Sequence, residues 1–131
     1  PQRPMIGPMN LDDHRHLEAA RGCLLLGDWQ SANDELEEIA PAVRAASEVL
    51  LVRVEIYLRA GKSDMAQPVA QTLARTRGGD WRVHYALAQA EARLGNFKAA
   101  RAALEQAFAL RDVRQKALDD PLLKTLWTNL N

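Results

Sequence analysis

Apolar residues recur at three- and four-residue intervals along most of the chain, which is the spacing of one face of an α-helix. The helix-favouring residues Ala, Leu, Arg, Glu and Gln dominate the composition. No stretch shows the two-residue alternation of a half-buried strand. The pattern therefore predicts an all-α protein, in which short segments rich in Gly, Pro and Asp separate the helices.

The strongest feature of this pattern is a repeat with a period of 34 residues, which Gly27, Gly61 and Gly95 mark. Three further columns keep the same register: Ala32, Ala66 and Ala100; Leu36, Ala70 and Leu104; and Ile39, Leu73 and Ala107. We interpret each unit as two antiparallel helices, because glycine suits a left-handed turn after the first helix and alanine allows close packing of the second. One pair cannot cover its own apolar face, so successive pairs are expected to stack.

These columns resemble the tetratricopeptide repeat family, whose unit is a 34-residue helix–turn–helix. The similarity covers about residues 13–114, and it is carried by the turns Gly27-Asp28-Trp29, Gly61-Lys62-Ser63 and Gly95-Asn96-Phe97. Tyr57 falls on the family's tyrosine column, whereas Arg53 occupies a normally apolar one. The resemblance implies an α-α superhelix, a short solenoid of three repeats at about residues 13–46, 47–80 and 81–114.

The first residues of the chain do not share the repeat pattern. Residues 1–9 contain three prolines and have no period, so they are predicted to be a flexible leader or a vector-derived remnant. A single domain is expected over residues 10–131. It begins at Asn10, a residue that favours the N-cap position of a helix, and Asp13 three positions later resembles the second half of a capping box.

The repeat pattern also changes after Leu110. Asp120 followed by Pro121 predicts a helix start, because proline is favoured at the first position of a helix. An apolar stripe follows at Leu122, Leu123, Leu126, Trp127 and Leu130. Repeat arrays need a terminal element that covers the last exposed face, so residues 115–131 are predicted to form a C-terminal capping helix.

Composition narrows the classes of function. The 131 residues correspond to about one domain, and 17 Lys and Arg balance 17 Asp and Glu. A net charge of zero gives no support for nucleic acid or an anionic membrane as the partner. No run of about 18 apolar residues is present, so no membrane span is predicted. Cys23 is the only cysteine, which excludes an intramolecular disulfide and fits a reducing, cytoplasmic location.

No arrangement of residues in the sequence predicts catalysis. His14 and His16 point about 200° apart on a helix, so they do not chelate one metal ion together. The acidic run over residues 34–38 is interpreted as a solvated helix face. Phosphate-binding, nucleophile-elbow and dinucleotide motifs are missing. We therefore expect no enzyme activity, no cofactor and no metal.

The resemblance implies that the first helices of the units line a concave groove. Spacing supports this in the third unit, where Arg82, Tyr85, Gln89 and Arg93 share one helix stripe. The predicted partner-binding residues are Arg21, Glu55, Arg59, Arg82, Tyr85, Gln89 and Arg93. Arginine would bind carboxylates and tyrosine would supply apolar contact. Some relatives clamp the terminal carboxylate of chaperones, but Leu17 and Val52 replace polar clamp residues here, so that function is rejected.

The expected function is a non-catalytic protein-interaction module, a scaffold or adaptor that binds a peptide or helix of a partner protein in this groove. Residues 1–50 carry a net charge of −5 and residues 51–131 a net charge of +5, which fits an acidic partner or head-to-tail packing of copies. Two alternatives stay open. The chain is a self-association module, such as a homodimer within a larger assembly, or a fragment of a longer multidomain protein, since it begins at Pro1 without a methionine.

Overall fold

The computed structural model describes residues 8–129, and this part of the chain is all-α, as the apolar pattern predicts. It contains eight α-helices and two short 3₁₀ turns, at Pro41–Val43 and Pro121–Leu123. The helices are α1 Leu11–Leu25, α2 Trp29–Glu37, α3 Ser47–Arg59, α4 Ser63–Thr76, α5 Trp81–Arg93, α6 Phe97–Leu110, α7 Arg114–Leu118 and α8 Lys124–Thr128. Helices α1–α6 form three helix–turn–helix units stacked in chain order, which confirms the predicted architecture.

A glycine ends the first helix of every unit. The φ angles of Gly27, Gly61 and Gly95 are +76°, +76° and +81°, in the left-handed region that favours glycine. The residue after each glycine donates its backbone N–H to a carbonyl five residues earlier: Asp28 to Cys23 at 2.9 Å, Lys62 to Tyr57 at 2.8 Å and Asn96 to Glu91 at 2.9 Å. This closure is typical of a Schellman motif, so the chain reverses direction in the same way in each unit.

The repeat columns form the interior of the stack. Ala32, Ala66 and Ala100 are fully buried, where the second helix of a unit packs closely on the first. The other two columns are buried as well: Leu36, Ala70, Leu104, Ile39, Leu73 and Ala107. The core divides into three clusters, and each cluster includes side chains from the helix that follows its unit. Neighbouring repeats therefore cover each other's apolar faces.

The predicted capping box at the start of α1 is present. The Asp13 backbone N–H donates to Asn10 Oδ1 at 2.8 Å, and the Asn10 N–H donates to Asp13 Oδ2 at 3.2 Å. Asp13 is buried, and its Oδ1 also accepts from the Ala40 N–H at 3.0 Å, which joins the two ends of the first unit. Of the predicted leader, only Pro8 and Met9 lie within the described residues, and Met9 is half-buried against the first cluster.

The C-terminal segment caps the stack as three short elements, and the start predicted at Pro121 is a 3₁₀ turn that leads into α8. Its interruption falls at Pro121, which lacks a backbone N–H, and Asp120 caps the new turn by accepting from the Leu122 N–H at 2.9 Å. Leu123 and Leu126 are buried against α5 and α6. If the period of 34 is continued, residues 115–128 occupy the place of a fourth first helix. Leu130 lies outside the described residues.

Arg53 is tolerated at a normally apolar position because polar side chains of the preceding unit accept hydrogen bonds from it. Its guanidinium is hydrogen-bonded to Asn33 and donates to Glu37 Oε1 at 3.2 Å, both on α2. Glu91, at the position where the family has tyrosine, is also buried. Its Oε1 accepts hydrogen bonds from Gln67 of α4 and from Asn96 Nδ2, the latter at 3.4 Å. These hydrogen bonds link neighbouring helices and provide partners for polar groups that burial would otherwise leave unpaired.

Candidate functional site

The first helices and the C-terminal segment enclose a concave groove with a volume of about 360 Å³. Six of the seven predicted site residues line it: Arg21 from α1, Glu55 and Arg59 from α3, and Arg82, Tyr85 and Gln89 from α5. Arg93 is exposed at the end of α5 and is not among the lining residues. The structure therefore brings together most of the side chains that were predicted to bind a partner.

Glu55 lies among the cationic side chains of this groove. Burial raises the pKa of its carboxyl, and the positive charges of four side chains oppose that rise: Arg59, Arg82, Arg21 and Lys116. Among residues 8–129, Glu55 forms neither a hydrogen bond nor an ion pair within 4.0 Å. The groove therefore carries four cationic groups around a single carboxylate that none of them contacts directly.

Two of the four cations are already paired within the protein. Arg82 forms a fork with Asp80 in the preceding loop, with Nε 3.0 Å from Oδ1 and Nη2 2.8 Å from Oδ2. Arg21 is paired with Glu18 one turn earlier on α1. A carboxylate that entered the groove would have to share these guanidinium groups with their present partners.

Arg59 and Lys116 have no such carboxylate partner. Within the described part of the chain, neither forms an ion pair within 4.0 Å. Lys116 Nζ lies 5.5 Å from the centroid of the Tyr85 ring, which is close enough for a cation–π interaction. An aromatic face attracts a cation without neutralising its charge, so both side chains present positive charge to the groove.

Tyr85 and Gln89, both predicted to bind a partner, hold the C-terminal segment in place. The Tyr85 hydroxyl and Gln89 Nε2 each donate to Asp120 Oδ2 at 2.7 Å. Burial is the main cause that raises the pKa of Tyr85 far above its usual range, and the hydrogen bond to Asp120 adds to it. The hydroxyl therefore keeps its proton and remains a donor.

Apolar side chains complete the lining. Leu51, Val52 and Leu58 of α3 are buried at the base of the groove, and Leu122 joins them from the C-terminal segment. At the α1 edge Leu25 is 89% exposed, which is unusual for a leucine that lines a groove. The lining therefore combines apolar side chains with the unpaired cations Arg59 and Lys116.

Comparison with known proteins places this architecture. A family model for the tetratricopeptide repeat matches residues 81–106, which hold α5 and most of α6. The match supports a tetratricopeptide repeat assignment for this unit. No curated protein and no solved structure matches the chain at a significant level. Tetratricopeptide repeats generally mediate protein–protein interaction.

Sequence reasoning missed several residues that line the groove of these repeats. Lys116 follows Arg82 by 34 residues, so continuing the repeat period past the third unit would have found it. Leu122 was predicted to cover the last repeat, but it also faces the groove. Leu25 gave no signal, because an exposed leucine at the end of α1 cannot be told from a core leucine by its spacing.

Two of the three histidines, His16 and His84, have polar partners within the protein. His16 Nδ1 lies 2.7 Å from Glu35 Oε2, and His84 Nε2 lies 2.8 Å from the Gly78 carbonyl oxygen. Over residues 8–129, no three His, Cys, Asp or Glu side chains come together as a metal site would require. In the same part of the chain, no helix has the length and apolar character needed to cross a membrane.

Proposed function

We propose that the protein is a non-catalytic interaction module that holds an acidic segment of a partner protein, with apolar side chains between its carboxylates, in the concave groove. The observation that carries this proposal is the position of Arg59 and Lys116. Both line the groove, and neither is paired with a carboxylate of residues 8–129. A partner carboxylate would supply the missing counter-charge.

The chemistry of the two cations favours a carboxylate ligand. The planar guanidinium of Arg59 suits bidentate binding of a carboxylate, and the ammonium of Lys116 adds a point charge from the C-terminal segment. Apolar side chains of the partner would lie on Leu58 and Leu122, and on the exposed Leu25 at the edge. In this arrangement the charges steer and orient the partner, while apolar burial supplies most of the affinity.

The proposal also includes the cellular role. Cys23 is a free cysteine, which suits a reducing compartment, and we place the module in the cytoplasm as an adaptor or scaffold. Such a role needs a binding surface and no reacting group. The groove offers such a surface, because four cationic side chains and several apolar ones line it.

Charge reversal tests the groove directly. The probe is a fluorescently labelled synthetic peptide of alternating glutamate and leucine, titrated with the full chain and followed by anisotropy. We expect Arg59→Glu and Lys116→Glu each to weaken binding by about tenfold or more, because a like charge replaces an attractive one. The matched control is Arg93→Glu, which makes the same change on α5 outside the groove lining.

The outcome separates the groove from general electrostatic attraction. Selective loss in the Arg59 and Lys116 variants, with circular dichroism unchanged, supports the proposal. Equal weakening by Arg93→Glu would indicate attraction to net charge rather than to this groove. A peptide in which lysine replaces glutamate should bind none of the proteins, and its binding would contradict the acidic partner.

A further inference from the structure

Two acidic side chains of the C-terminal segment share the space that Arg59 and Lys116 face. Next to the groove lies a pocket of about 480 Å³, whose lining includes Arg59, Lys116 and Gln89 together with Asp119 and Asp120. Five of its lining residues also line the groove, so the two spaces are continuous. The chain therefore places two of its own carboxylates in the part of the groove that Arg59 and Lys116 line.

Asp120 is held there by a set of directed hydrogen bonds. Its Oδ2 accepts from Tyr85 and Gln89, both at 2.7 Å, and its Oδ1 accepts from the Leu122 N–H at 2.9 Å. All three donors are neutral groups. The carboxylate is therefore fixed in position, while its negative charge is not cancelled by a cation in contact with it.

Asp119, the preceding residue, is held by fewer hydrogen bonds than Asp120. It is exposed and directly follows α7 in the chain. Its Oδ2 accepts a hydrogen bond at 3.1 Å from Nε2 of Gln115, which lies in α7. Across residues 8–129, no cationic group lies within 4.0 Å of either Asp119 or Asp120. Both aspartates line the same pocket as Arg59 and Lys116, so their charges reach these cations through space rather than by direct contact.

We propose that the Asp119–Asp120 turn is a built-in competitor for the acidic segment of the partner, because it holds two carboxylates in the pocket that Arg59 and Lys116 also line. This inference rests on the proposed function of the groove. The turn lowers the positive electrostatic potential around Arg59 and Lys116. The negative charges of Asp119 and Asp120 therefore repel the acidic residues of an approaching partner. Burial of Leu123 and Leu126 keeps the segment attached, so the competition acts continuously rather than by release of the segment.

Neutral isosteres of the two carboxylates measure this competition. The glutamate–leucine peptide is titrated with the wild-type chain and with Asp119→Asn and Asp120→Asn, at low and at high salt. Asp119→Asn leaves the bonds of Asp120 intact, so it removes a charge without disturbing the anchored turn. Glu105→Gln is the control, because it makes the same change in net charge on an exposed side of α6.

We expect each asparagine variant to bind the peptide about two- to fivefold more tightly at low salt, which is the range for exposed charge pairs, and the gain to shrink as salt screens it. Glu105→Gln should bind like the wild type. Peptide binding that appears only in the asparagine variants would support the inference as well, as the result of a strong competitor.

Three results would overturn it. Equal affinity of all four proteins would show that the turn does not compete, and would leave the proposed function of the groove standing. Weaker binding by Asp120→Asn, with Asp119→Asn unchanged, would make Asp120 a positioning residue for the groove wall instead. Failure of every protein to bind the peptide would contradict the proposed function itself and the competition with it.

Discussion

Asp80 holds Arg82 at the start of α5 through both its carboxylate oxygens, at 3.0 Å from Nε and 2.8 Å from Nη2. Asp80 also caps the helix, since its Oδ1 accepts from the Arg82 backbone N–H at 3.0 Å. The hydrogen bond from the Arg82 side chain is the main cause that lowers the pKa of the Asp80 carboxyl. A cation predicted from its helix stripe to bind a partner is thus already engaged by the loop before its own helix.

Asp80→Asn should release Arg82 without loss of the cap, because asparagine is as good an N-cap as aspartate. We expect the glutamate–leucine peptide to bind about two- to fivefold more tightly, and the free energy of unfolding in urea to change by less than about 1 kcal/mol, since the pair is partly exposed. Because the pKa of Asp80 is lowered in the folded state, its contribution to stability is present above its unfolded value of 3.8 and is lost as pH falls below that.

The chain offers a matched control for this change. Asp112 and Arg114 form the same fork two residues apart, with Nε 3.1 Å from Oδ1 and Nη2 3.3 Å from Oδ2, and neither lines the groove. Asp112→Asn should therefore leave peptide affinity at the wild-type value. If Asp112→Asn tightened binding as much as Asp80→Asn, net charge rather than the release of Arg82 would explain both results.

Glu55→Gln tests the isolated carboxylate of the groove. Burial raises its pKa above the usual 4.5, so the folded protein binds this proton more readily than the unfolded chain. The wild type therefore gains stability as pH falls through the raised folded pKa towards 4.5, and it loses that gain as pH rises to neutral. We expect Glu55→Gln to be the more stable protein at neutral pH and to show a weaker dependence on pH in urea titrations between neutral and about 4.5.

Exposed carboxylates supply the comparison for Glu55. Glu105→Gln removes a negative charge from the exposed side of α6 and is the control in the same urea titrations. In peptide titrations Glu55→Gln should also strengthen binding of the acidic probe, because one like charge leaves the groove. A stability profile identical to that of the wild type would contradict the burial of this carboxylate.

Local periodicity explains which parts of the structure could be predicted. The buried column Ala32, Ala66 and Ala100 repeats every 34 residues because the same helix contact recurs in each unit, so the sequence alone reveals it. The contact between Tyr85 and Asp120 joins residues 35 positions apart and occurs once. This contact falls on no repeat column, and proline at position 121 indicates only the start of a helix. The sequence alone therefore does not predict the hydrogen bond between Tyr85 and Asp120.

Tyr85→Phe removes the hydroxyl that anchors the C-terminal segment. We expect the free energy of unfolding to fall by about 1–2 kcal/mol, because a partly buried hydrogen bond to a carboxylate is lost while the ring is kept. Tyr57→Phe is the control, since the Tyr57 hydroxyl makes no hydrogen bond within residues 8–129, and it should change stability by less than about 0.5 kcal/mol. Urea titration followed by circular dichroism measures both, and equal losses would argue against the anchor.

Two Gly→Ala changes separate turn geometry from helix propensity. Gly61 has φ +76°, where an L-residue is strained, so Gly61→Ala should lower the free energy of unfolding by about 1–2 kcal/mol. Gly22 lies inside α1, and a Cβ added there meets nothing within 4 Å, so Gly22→Ala should raise it by about 0.5–1 kcal/mol. Thermal and urea unfolding of the two variants should therefore move in opposite directions. A gain in stability with Gly61→Ala would contradict the left-handed turn, and a loss with Gly22→Ala would contradict the open space for a Cβ at that position.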